Sequence, residues 1–506
     1  MSAGALEAVR SALAGRQAWL VGGAPRDRAL GRSAVDIDVV IDGDPADGAR
    51  AVARAGGRAA CFALSEAYGA WRVVARDRSW QVDVEPLRGG SLHADLALRD
   101  FTVNAIAEPI EGGAPIDPLG GLGDLAASRL RMAGRSAFAD DPLRVLRLVR
   151  MAVELELEPE PQTSRAAGAH VGELRGVSAE RVFIELRRIL ATERARQGIE
   201  LLGELGATAV VLPELQALRG VQQSRFHHLD VYGHTLEVLD RTIELQADPV
   251  AILDDWSAGG GGEEAEPARP DGAPQSADAA QGQLGERVAA LLGEPLADEL
   301  TRGEALRWGA LLHDAAKPLT RQVRPEDGRV TFIGHDARGA ELARAVLGGL
   351  RTSERLRAHV AALVRNHLRL GFLVHEPQPL ERRTVYRYLR ACAPVEVDVT
   401  LLSVADRLAT RGEQAERAID AHMQVARAML KDALRWRAEG PPSPLLRGDE
   451  LAADLGIPPG PRVGELLGEL AEARYAGEIA TRDQAFAYLH GRAPSGSLPQ
   501  DRPVSE

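Results

Sequence analysis

Two aspartates stand two residues apart inside a short apolar segment that follows a glycine pair. Residues 19–27 read WLVGGAPRD, and residues 35–41 read VDIDVVI, with Asp36 and Asp38 among valines and isoleucines. Side chains at positions i and i+2 of a β-strand share one face, so both carboxylates point the same way. Buried acids need partners, and Mg²⁺ takes oxygen ligands while keeping substrate phosphates in its shell. The segment therefore predicts a strand whose aspartates hold a divalent cation.

The composition indicates a mostly helical chain with several domains. Its 506 residues correspond to about three or four domains of ordinary size. Apolar residues make up 45 % and aromatic residues only 4 %, so the cores must consist of Leu, Ala and Val. Cys61 and Cys392 lie far apart and lack a metal-binding spacing, which favours a reducing, cytoplasmic location. We expect no signal peptide and no membrane span, because the sequence has no apolar run of about 18 residues.

The net charge of −12 is unevenly distributed. Residues 251–280 contain seven acids and one arginine, so this segment supplies half of the net negative charge. Arginines are concentrated instead at 131–150, 181–196 and 351–369. These stretches can bind a polyanion despite the overall charge, or they can be ordinary solvated helix faces.

The order of secondary structure predicts an α+β chain with its sheet at the N-terminal end. Strands are expected at 18–22, 36–41, 71–75, 80–84 and 101–107, with a helix at 46–56. From about residue 121 the pattern becomes helical throughout. Helices are expected at 141–153, 179–192, 195–206, 228–246, 301–313, 336–350, 353–366, 380–390, 396–435, 460–475 and 482–490.

The residues around the aspartate pair indicate phosphate chemistry. Glycine permits close approach of the backbone, so Gly22 and Gly23 can bring N–H groups to a phosphate, with Arg26 beside them. Two metal ions held by an aspartate pair can serve the attacking hydroxyl and the triphosphate of an in-line displacement. A third acid on the neighbouring strand would complete the site; Asp83 is favoured, and Glu85 is the alternative.

Two further segments carry polar groups suited to a nucleotide. Arg99 and Asn104 stand in an otherwise apolar run, where they can contact sugar or phosphate, or Arg99 can form a structural salt bridge with Asp100. Asp141 is expected to be the N-cap of a helix. It also lies three residues before Arg144, so the two can present an acceptor and a donor on one surface. Such a pair can read the Watson–Crick edge of a base without a template.

Five motifs in this order resemble the class II tRNA nucleotidyltransferases, which are CCA-adding enzymes with bacterial poly(A) polymerase relatives in the DNA polymerase β-like superfamily. They are Gly22-Gly23 with Asp36-Ile-Asp38, RDFTVNA at 99–105, DPLGG at 117–121, DDPLR at 140–144 and VSAER at 177–181. The resemblance covers residues 18–215. It implies a five-stranded head, a helical neck that reads the incoming base, and a helical body and tail that hold the tRNA acceptor arm.

The resemblance also implies residue roles. Asp36 and Asp38 would be catalytic ligands of Mg²⁺; Asp83 stays the favoured third acid from its strand context, apart from the resemblance. The nucleotide-binding residues would be Gly22, Gly23, Arg26, Arg99, Asp100, Asn104, Asp141, Arg144, Arg147 and Arg150.

A second set of motifs resembles the HD phosphohydrolase superfamily, a helical metal-dependent fold. Its order is a histidine, a His-Asp pair and a later aspartate. By this resemblance a divalent metal is bound by His234, His313, Asp314 and Asp406, a second metal would use His335 and His367, and Lys317 would assist phosphate binding. Mixed nitrogen and oxygen ligands suit Mn, Fe, Ni, Co or Mg, so the identity of the metal stays open.

The sequence therefore predicts an enzyme that adds CCA to tRNA 3′ ends from CTP and ATP, with an accessory HD phosphohydrolase activity. The alternatives are a poly(A) polymerase, a CC-only or A-only tRNA nucleotidyltransferase, an HD hydrolase with a tRNA-binding head, and a non-catalytic tRNA chaperone. The expected domains are a nucleotidyltransferase head at 1–125, a neck at 126–215, an HD domain at 216–256 and 285–412 interrupted by a disordered insertion at 257–284, a helical tail at 413–492 and a disordered end at 493–506.

Overall fold

The computed structural model describes residues 3–32, 36–65, 69–223, 229–255, 283–411 and 415–491. Residues 257–282 of the predicted insertion and the predicted end at 493–506 lie outside the described residues. The chain divides into two compact units, residues 1–216 and residues 217–506.

A six-stranded sheet forms the base of the first unit. The strands are β1 (Ala18–Val21), β2 (Asp36–Ile41), β3 (Ala60–Ser65), β4 (Ala70–Val74), β5 (Gln81–Pro86) and β6 (Ala107–Pro109). Their spatial order is β3-β4-β5-β2-β1-β6. Strand β2 runs antiparallel to β1 and parallel to β5, so Asp38 lies between Val21 and Asp83 in the register. The strand that carries the aspartate pair is therefore central in the sheet.

Four predicted strands are confirmed as β1, β2, β4 and β5, whereas the strand expected at 101–107 is wrong. Residues Thr102–Asn104 form a 3₁₀ turn, and β6 begins only at Ala107. The Asp100 carboxylate accepts hydrogen bonds from Phe101 N at 2.8 Å and from Asn104 Nδ2 at 2.9 Å, and such local side-chain bonds compete with a β-ladder.

The edge strand β3 was not among the expected strands. Phe62 and Leu64 on β3 are 46 % and 45 % exposed, so this strand lacks the pattern of a half-buried one. With β3, the sheet has one strand more than the five that the resemblance implies.

Four helices accompany the sheet. They are α1 (Ala3–Leu13), α2 (Gly23–Ala29), α3 (Pro45–Ala55) and α4 (Leu92–Ala97). Helix α3 confirms the helix expected at 46–56, and it begins where the Asp44 side chain accepts a hydrogen bond from Ala46 N. Apolar side chains of α1, α3 and the central strands share one core, which fixes the sheet beneath the glycine pair.

The remainder of the first unit is mainly helical; the expectation that helices continue throughout from about residue 121 is wrong for a few short strands. Its elements are a 3₁₀ turn (Thr102–Asn104), α5 (Gly121–Ala126), α6 (Ala137–Asp140), α7 (Arg144–Leu155), α8 (Pro161–Ala169), a 3₁₀ segment (Val171–Gly176), α9 (Ala179–Ala191), α10 (Ala195–Glu204), α11 (Thr208–Val211), α12 (Pro213–Gln216) and the strand pair β7 (Arg129–Leu130) and β8 (Glu158–Pro159). The expected N-cap at Asp141 is wrong, because Leu143 is the N-cap of α7. Bonds from Arg144 N to Asp141 O and from Val145 N to Pro142 O span three residues, so a tighter turn precedes the α-helix.

The second unit consists mainly of helices. They are α13 (Val231–Ala247), α14 (Pro249–Leu253), α15 (Leu284–Leu292), α16 (Arg302–Leu312), α17 (Lys317–Thr320), α18 (His335–Gly349), α19 (Glu354–Asn366), α20 (Arg369–Leu373), α21 (Arg382–Cys392), α22 (Glu396–Ala409), α23 (Ala415–Glu439), α24 (Gly448–Leu455), α25 (Pro461–Ala476) and α26 (Arg482–His490). Two short strand pairs are also present, β9 (Pro295–Ala297) with β10 (Leu300–Thr301) and β11 (Gln322–Val323) with β12 (Val330–Thr331).

Helix α22 lies at the centre of this unit. It contacts α13, α16, α19 and α23, and most of its side chains are buried. The single helix expected at 396–435 is wrong, because α22 ends at Ala409 and α23 begins at Ala415. Helices α24 to α26 form a separate small core. None of the helices in the described residues is long and apolar enough to cross a membrane.

Gly121 and Gly123 test how tightly α5 packs against the 3₁₀ turn. A Cβ at Gly121 would lie 2.1 Å from the backbone oxygen of Thr102, whereas a Cβ at Gly123 meets no described atom within 4 Å. We expect Gly121→Ala to lower the free energy of unfolding by about 1–3 kcal/mol, the usual cost of overpacking. Gly123→Ala should be neutral or up to about 1 kcal/mol stabilising, because alanine favours helix. Urea unfolding of both variants makes the comparison; equal midpoints would contradict the close packing.

Candidate active sites

The glycine pair brings the backbone against the carboxylate of Asp38. Gly22 ends the turn after β1 with φ 70° and ψ −124°, a conformation that glycine adopts readily. A Cβ at Gly22 would lie 3.0 Å from Asp38 Oδ2 and 3.3 Å from Arg99 Nη1. The sequence therefore needs glycine here for two reasons, the positive φ and the lack of space. The side chain of Asp36 lies outside the described part of the structure; its backbone starts β2, two residues before Asp38.

The two candidates for a third acid have different surroundings. Asp83 is level with Asp38 in the parallel register, and its carboxylate accepts two hydrogen bonds of 2.7 Å from Arg72. Glu85 instead lies 3.8 Å from Arg99 Nη2 and lines the same cavity as Asp38. Asp83 does not line that cavity, and its catalytic role stays a prediction.

A chain of polar contacts connects α2 to α7. Arg26 Nη1 donates to Asn104 Oδ1 at 2.6 Å, and Asn104 Nδ2 donates to Asp100 Oδ1 at 2.9 Å. The other oxygen of Asp100 pairs with Arg147 Nη2 at 2.8 Å. Burial alone would raise the pKa of Asp100, but Arg147 and the hydrogen bonds lower that pKa to about 2. Arg99 pairs with Asp95 at 3.2 Å, so its salt bridge does not involve Asp100.

The start of α7 places an acceptor and a donor at the same cavity. Arg144 is fixed by backbone carbonyls, donating to Leu98 O at 2.9 Å and to Ala137 O at 3.0 Å. Asp141 accepts a bond of 2.7 Å from Arg181 Nη2. Both Asp141 and Arg144 line the cavity, as the sequence predicts for a base-reading pair.

All ten predicted nucleotide-binding residues line one cavity of about 530 Å³, together with Asp38. Asp27, which follows Arg26 in the glycine-pair motif, also lines it, and sequence reasoning missed Arg88, Met151 and Arg188. A signal for Arg188 exists in the sequence, because it lies seven residues after Arg181 and therefore on the same face of α9. Arg188 and the buried Arg150 both pair with Glu154, at 2.8 Å in each case.

The second candidate site lies within the second unit and gathers the predicted HD residues. His234 Nε2 lies 3.0 Å from Asp406 Oδ1 and 3.9 Å from Asp314 Oδ2. His313 Nε2 lies 3.2 Å from Asp314 Oδ2, and His335 Nε2 lies 3.4 Å from Asp314 Oδ1. The Nε2 atoms of His335 and His367 are 3.3 Å apart. Five helices or helix ends, spread over residues 234–406, thus meet at one point.

Each of three imidazoles is oriented by a backbone carbonyl close to it in sequence. The Nδ1 atoms of His313, His335 and His367 lie 2.7–2.8 Å from the carbonyl oxygen three residues earlier. This bond leaves Nε2 directed into the site, which is the usual way in which ligand histidines are set. His313 Nε2 is buried without a hydrogen-bond partner of ordinary geometry.

The side chains form two overlapping groups suited to metal ions. The ligand atoms of His234, His313 and Asp314 lie within 4.8 Å of one another, and so do those of Asp314, His335 and His367. Burial lowers the pKa of His367 to about 4, which keeps its imidazole in the neutral form that binds metals. Asp314 belongs to both groups, so its carboxylate would serve a metal ion in either one. The residues therefore fit a divalent metal centre, while the identity of the metal stays a prediction.

Comparison with known proteins agrees with this layout. A Poly A polymerase head domain matches residues 18–131, a probable RNA- and SrmB-binding site of polymerase A matches 156–218, and an HD domain matches 286–411. The chain is similar to the A-adding tRNA nucleotidyltransferase of Deinococcus radiodurans, with 37 % identity over 93 % of this chain and 94 % of that protein. It is 33 % identical to the CC-adding tRNA nucleotidyltransferase of Thermus thermophilus, over 96 % and 97 % of the two chains.

The fold has solved counterparts. The structure of a Bacillus stearothermophilus CCA-adding enzyme in complex with CTP superposes with a TM-score of 0.59 and 21 % identity, over 97 % of this chain and 98 % of that one. The head and the metal centre thus define a nucleotidyltransferase that carries an HD domain. The chain belongs to the tRNA nucleotidyltransferase family. The predicted α+β fold class and transferase activity are confirmed.

Alanine variants of Gly22 and Gly31 distinguish the steric role of Gly22 from the effect of backbone strain. Their φ angles are +70° and +69°, but a Cβ at Gly31 meets no described atom within 4 Å. We expect Gly22→Ala to lower the rate of nucleotide addition by about 100-fold, because its methyl group displaces Asp38. Gly31→Ala should change the rate only a few-fold. Single-turnover extension of a tRNA primer measures both rates; similar losses in the two variants would attribute the effect to φ alone.

Proposed function

We propose that the chain adds CCA to the 3′ ends of tRNA, without a template, from CTP and ATP. The observation that carries this proposal is the single cavity that joins Asp38 to the acceptor and donor at Asp141 and Arg144. Asp36 and Asp38 would hold Mg²⁺, which supplies Lewis-acid stabilisation of the triphosphate and of the attacking hydroxyl. Arg26, Arg99 and their neighbours in the cavity would bind the phosphates and the sugar.

The choice of CTP and ATP follows from the edges of the bases. Cytosine and adenine both present an amino donor beside a ring-nitrogen acceptor, whereas guanine and uracil present a carbonyl acceptor beside an N–H donor. An acceptor at Asp141 and a donor at Arg144 match the first arrangement. Arg144 is fixed by backbone carbonyls, so the donor keeps one position and the reverse arrangement is disfavoured.

A second candidate is addition of only part of the CCA end. Two relatives that cover nearly the whole chain carry the names A-adding and CC-adding tRNA nucleotidyltransferase. The same base-reading pair would serve either partial reaction, because C and A present the same order of donor and acceptor.

One primer-extension experiment distinguishes these reactions. The chain is incubated with Mg²⁺ and tRNAs that end before CCA, after C and after CC, each with CTP, ATP or both. We expect stepwise growth that stops at CCA and fails without Mg²⁺. Growth that stops at CC, or addition of the last A alone, would establish the second candidate. Long A tails would indicate a poly(A) polymerase, and no growth would refute the transferase proposal.

In the same assay Asp141→Ala should reduce discrimination against UTP and GTP more than it reduces total incorporation.

We further propose that the HD site is a metal-dependent phosphohydrolase. The shared position of Asp314 in both ligand groups supports this activity, since paired divalent ions can stabilise the charge of a phosphate under attack. Lys317 Nζ lies 2.6 Å from Asp314 Oδ2 at the same centre.

Because the two groups overlap only at Asp314, we expect Asp314→Asn and His335→Ala to lose different amounts of bound metal. Asp314→Asn should remove bound metal from both groups and abolish hydrolysis of p-nitrophenyl phosphate, because it takes a ligand from each. His335→Ala should remove only the metal of the second group. His375→Ala is the matched control, because His375 lines the cavity outside both groups. Mass spectrometry after dialysis measures the Mn²⁺ bound per chain. An unchanged Mn²⁺ content in Asp314→Asn would refute the metal site.

We also propose the domain boundaries and the cellular location that the sequence predicts. The division of the chain after Gln216 supports a boundary between a neck at 126–215 and an HD domain that starts at 216. Cytoplasmic location is supported by the two free thiols, Cys61 and Cys392.

A further inference from the structure

The cavity at the HD site has a second wall that the metal ligands do not use. The cavity measures about 740 Å³, large enough for a small ligand, and one side is lined by Asp314, His335, His367 and Asp406. Helix α22 contributes Ser403, Arg407 and Thr410 to the lining, and helix α23 contributes Arg417 and His422. These five side chains are polar or cationic, and neither metal group includes them.

Arg407 is a half-buried cation with few partners. Its Nη2 donates to Thr410 O at 3.1 Å, while its Nε is buried with no hydrogen-bond partner. A guanidinium carries five N–H donors, and a buried cation is costly unless it is paired. The compensating charge beside it is the carboxylate of Asp406, which the resemblance to HD enzymes assigns to the metal. Once Asp406 serves a metal, Arg407 needs an anion from elsewhere.

Two neighbouring groups complete the wall. Ser403 lies one helical turn before Arg407 on the same face of α22. Its Oγ is 3.2 Å from His422 Nε2, and both residues are only 4 % exposed. Arg417 stands at the exposed end of the wall and has no hydrogen bond or ion pair among the described residues. The wall thus offers hydroxyl, imidazole and guanidinium groups without a carboxylate of its own.

Lys317 is less available for an anion than Arg407. Its ammonium already pairs with Asp314 Oδ2 at 2.6 Å and donates to Gln223 Oε1 at 2.6 Å. The resemblance to HD enzymes assigns phosphate binding to this lysine, but here its position favours neutralising Asp314. Arg407, in contrast, is a partly buried cation of this cavity that has, among the described residues, no ion pair to a carboxylate and no full set of hydrogen-bond acceptors.

We propose that Arg407, supported by Ser403 and His422, forms a phosphate-binding subsite in the HD cavity. The ligand class is a phosphate monoester dianion, which the guanidinium can bind through its terminal nitrogens. This inference rests on the proposed hydrolase, because it supplies the group that holds the substrate phosphate beside the metal centre. Arg417 adds long-range attraction at the exposed end.

The test is calorimetric titration of inorganic phosphate into the Mn²⁺-loaded chain, after the metal content has been measured. Arg407→Gln should raise the Kd about 10-fold or more, since a charged hydrogen bond contributes about 1.5–3 kcal/mol. Arg407→Lys should give a smaller increase, because lysine keeps the charge and loses the fork. Arg417→Gln should weaken binding about 2-fold, as solvent screens an exposed charge. Arg435→Gln, on the same helix as His422 but outside the cavity, is the matched control and should bind as the unmodified chain does.

Several outcomes would contradict the phosphate subsite at Arg407. Equal phosphate affinity in Arg407→Gln and Arg435→Gln would overturn it, and so would loss of Mn²⁺ from Arg407→Gln, which would assign Arg407 to positioning Asp406. Absence of phosphate binding by the Mn²⁺-loaded chain would overturn the subsite and the hydrolase together. Phosphate binding that depends on Arg407, without hydrolysis of p-nitrophenyl phosphate, would refute the hydrolase alone.

Discussion

The nucleotide cavity depends on one buried carboxylate. Asp100 is only 5 % exposed, and its two oxygens hold Asn104 on one side and Arg147 on the other. Because Asn104 also accepts from Arg26, the contacts run from the helix after the glycine pair to α7, which carries the proposed base-reading arginine, Arg144. A buried ion is stable only while its partners remain in place. The position of Asp100 thus fixes two walls of the cavity at once, and the same residue creates the 3₁₀ turn that interrupts the expected strand.

Asp314 has the corresponding role in the HD site, but the surroundings are built differently. Three of the proposed histidine ligands are oriented by a carbonyl three residues earlier in the chain, so local structure alone sets their directions. Tertiary packing then brings these histidines together around the carboxylate of Asp314, a residue that is only 1 % exposed. Burial alone would raise the pKa of Asp314, but His313 and Lys317 hold that pKa well below its usual value. The carboxylate is therefore ionised when a metal arrives.

Local sequence patterns predict most of the fold and much of both sites. The features that they do not predict have a common cause. Helices such as α9 and α21 follow directly from apolar periodicity, and the nucleotide-binding candidates could be named because each motif is short and contiguous. Ion-pair partners are different, since they join residues that are distant in sequence. No local pattern indicates that Arg72 binds Asp83, or that Arg181 binds Asp141.

The second wall of the HD cavity escaped sequence reasoning for the same reason. Arg407 follows Asp406 directly in the sequence, but its lack of partners becomes visible only when the neighbouring helices are in place. Ser403 and His422 lie 19 residues apart on different helices, and their contact depends on how α22 packs against α23. Residue type and spacing identify metal ligands because the metal demands them, whereas a phosphate can be bound by many combinations of donors.

The two members of the base-reading pair are held with unequal strength. Arg144 is tied to backbone carbonyls, which cannot move without distorting α6 and the segment after α4. One oxygen of Asp141 accepts a bond of 3.2 Å from Leu143 N, and the other is held, among the described residues, only by Arg181, which is 49 % exposed; exposed ion pairs contribute only about 0–1 kcal/mol. In the proposed reaction an incoming base can replace Arg181 at little cost, while the donor stays fixed. A fixed donor with an adjustable acceptor suits a site that reads both the smaller cytosine and the larger adenine, because only the acceptor has to move to accommodate the difference in size.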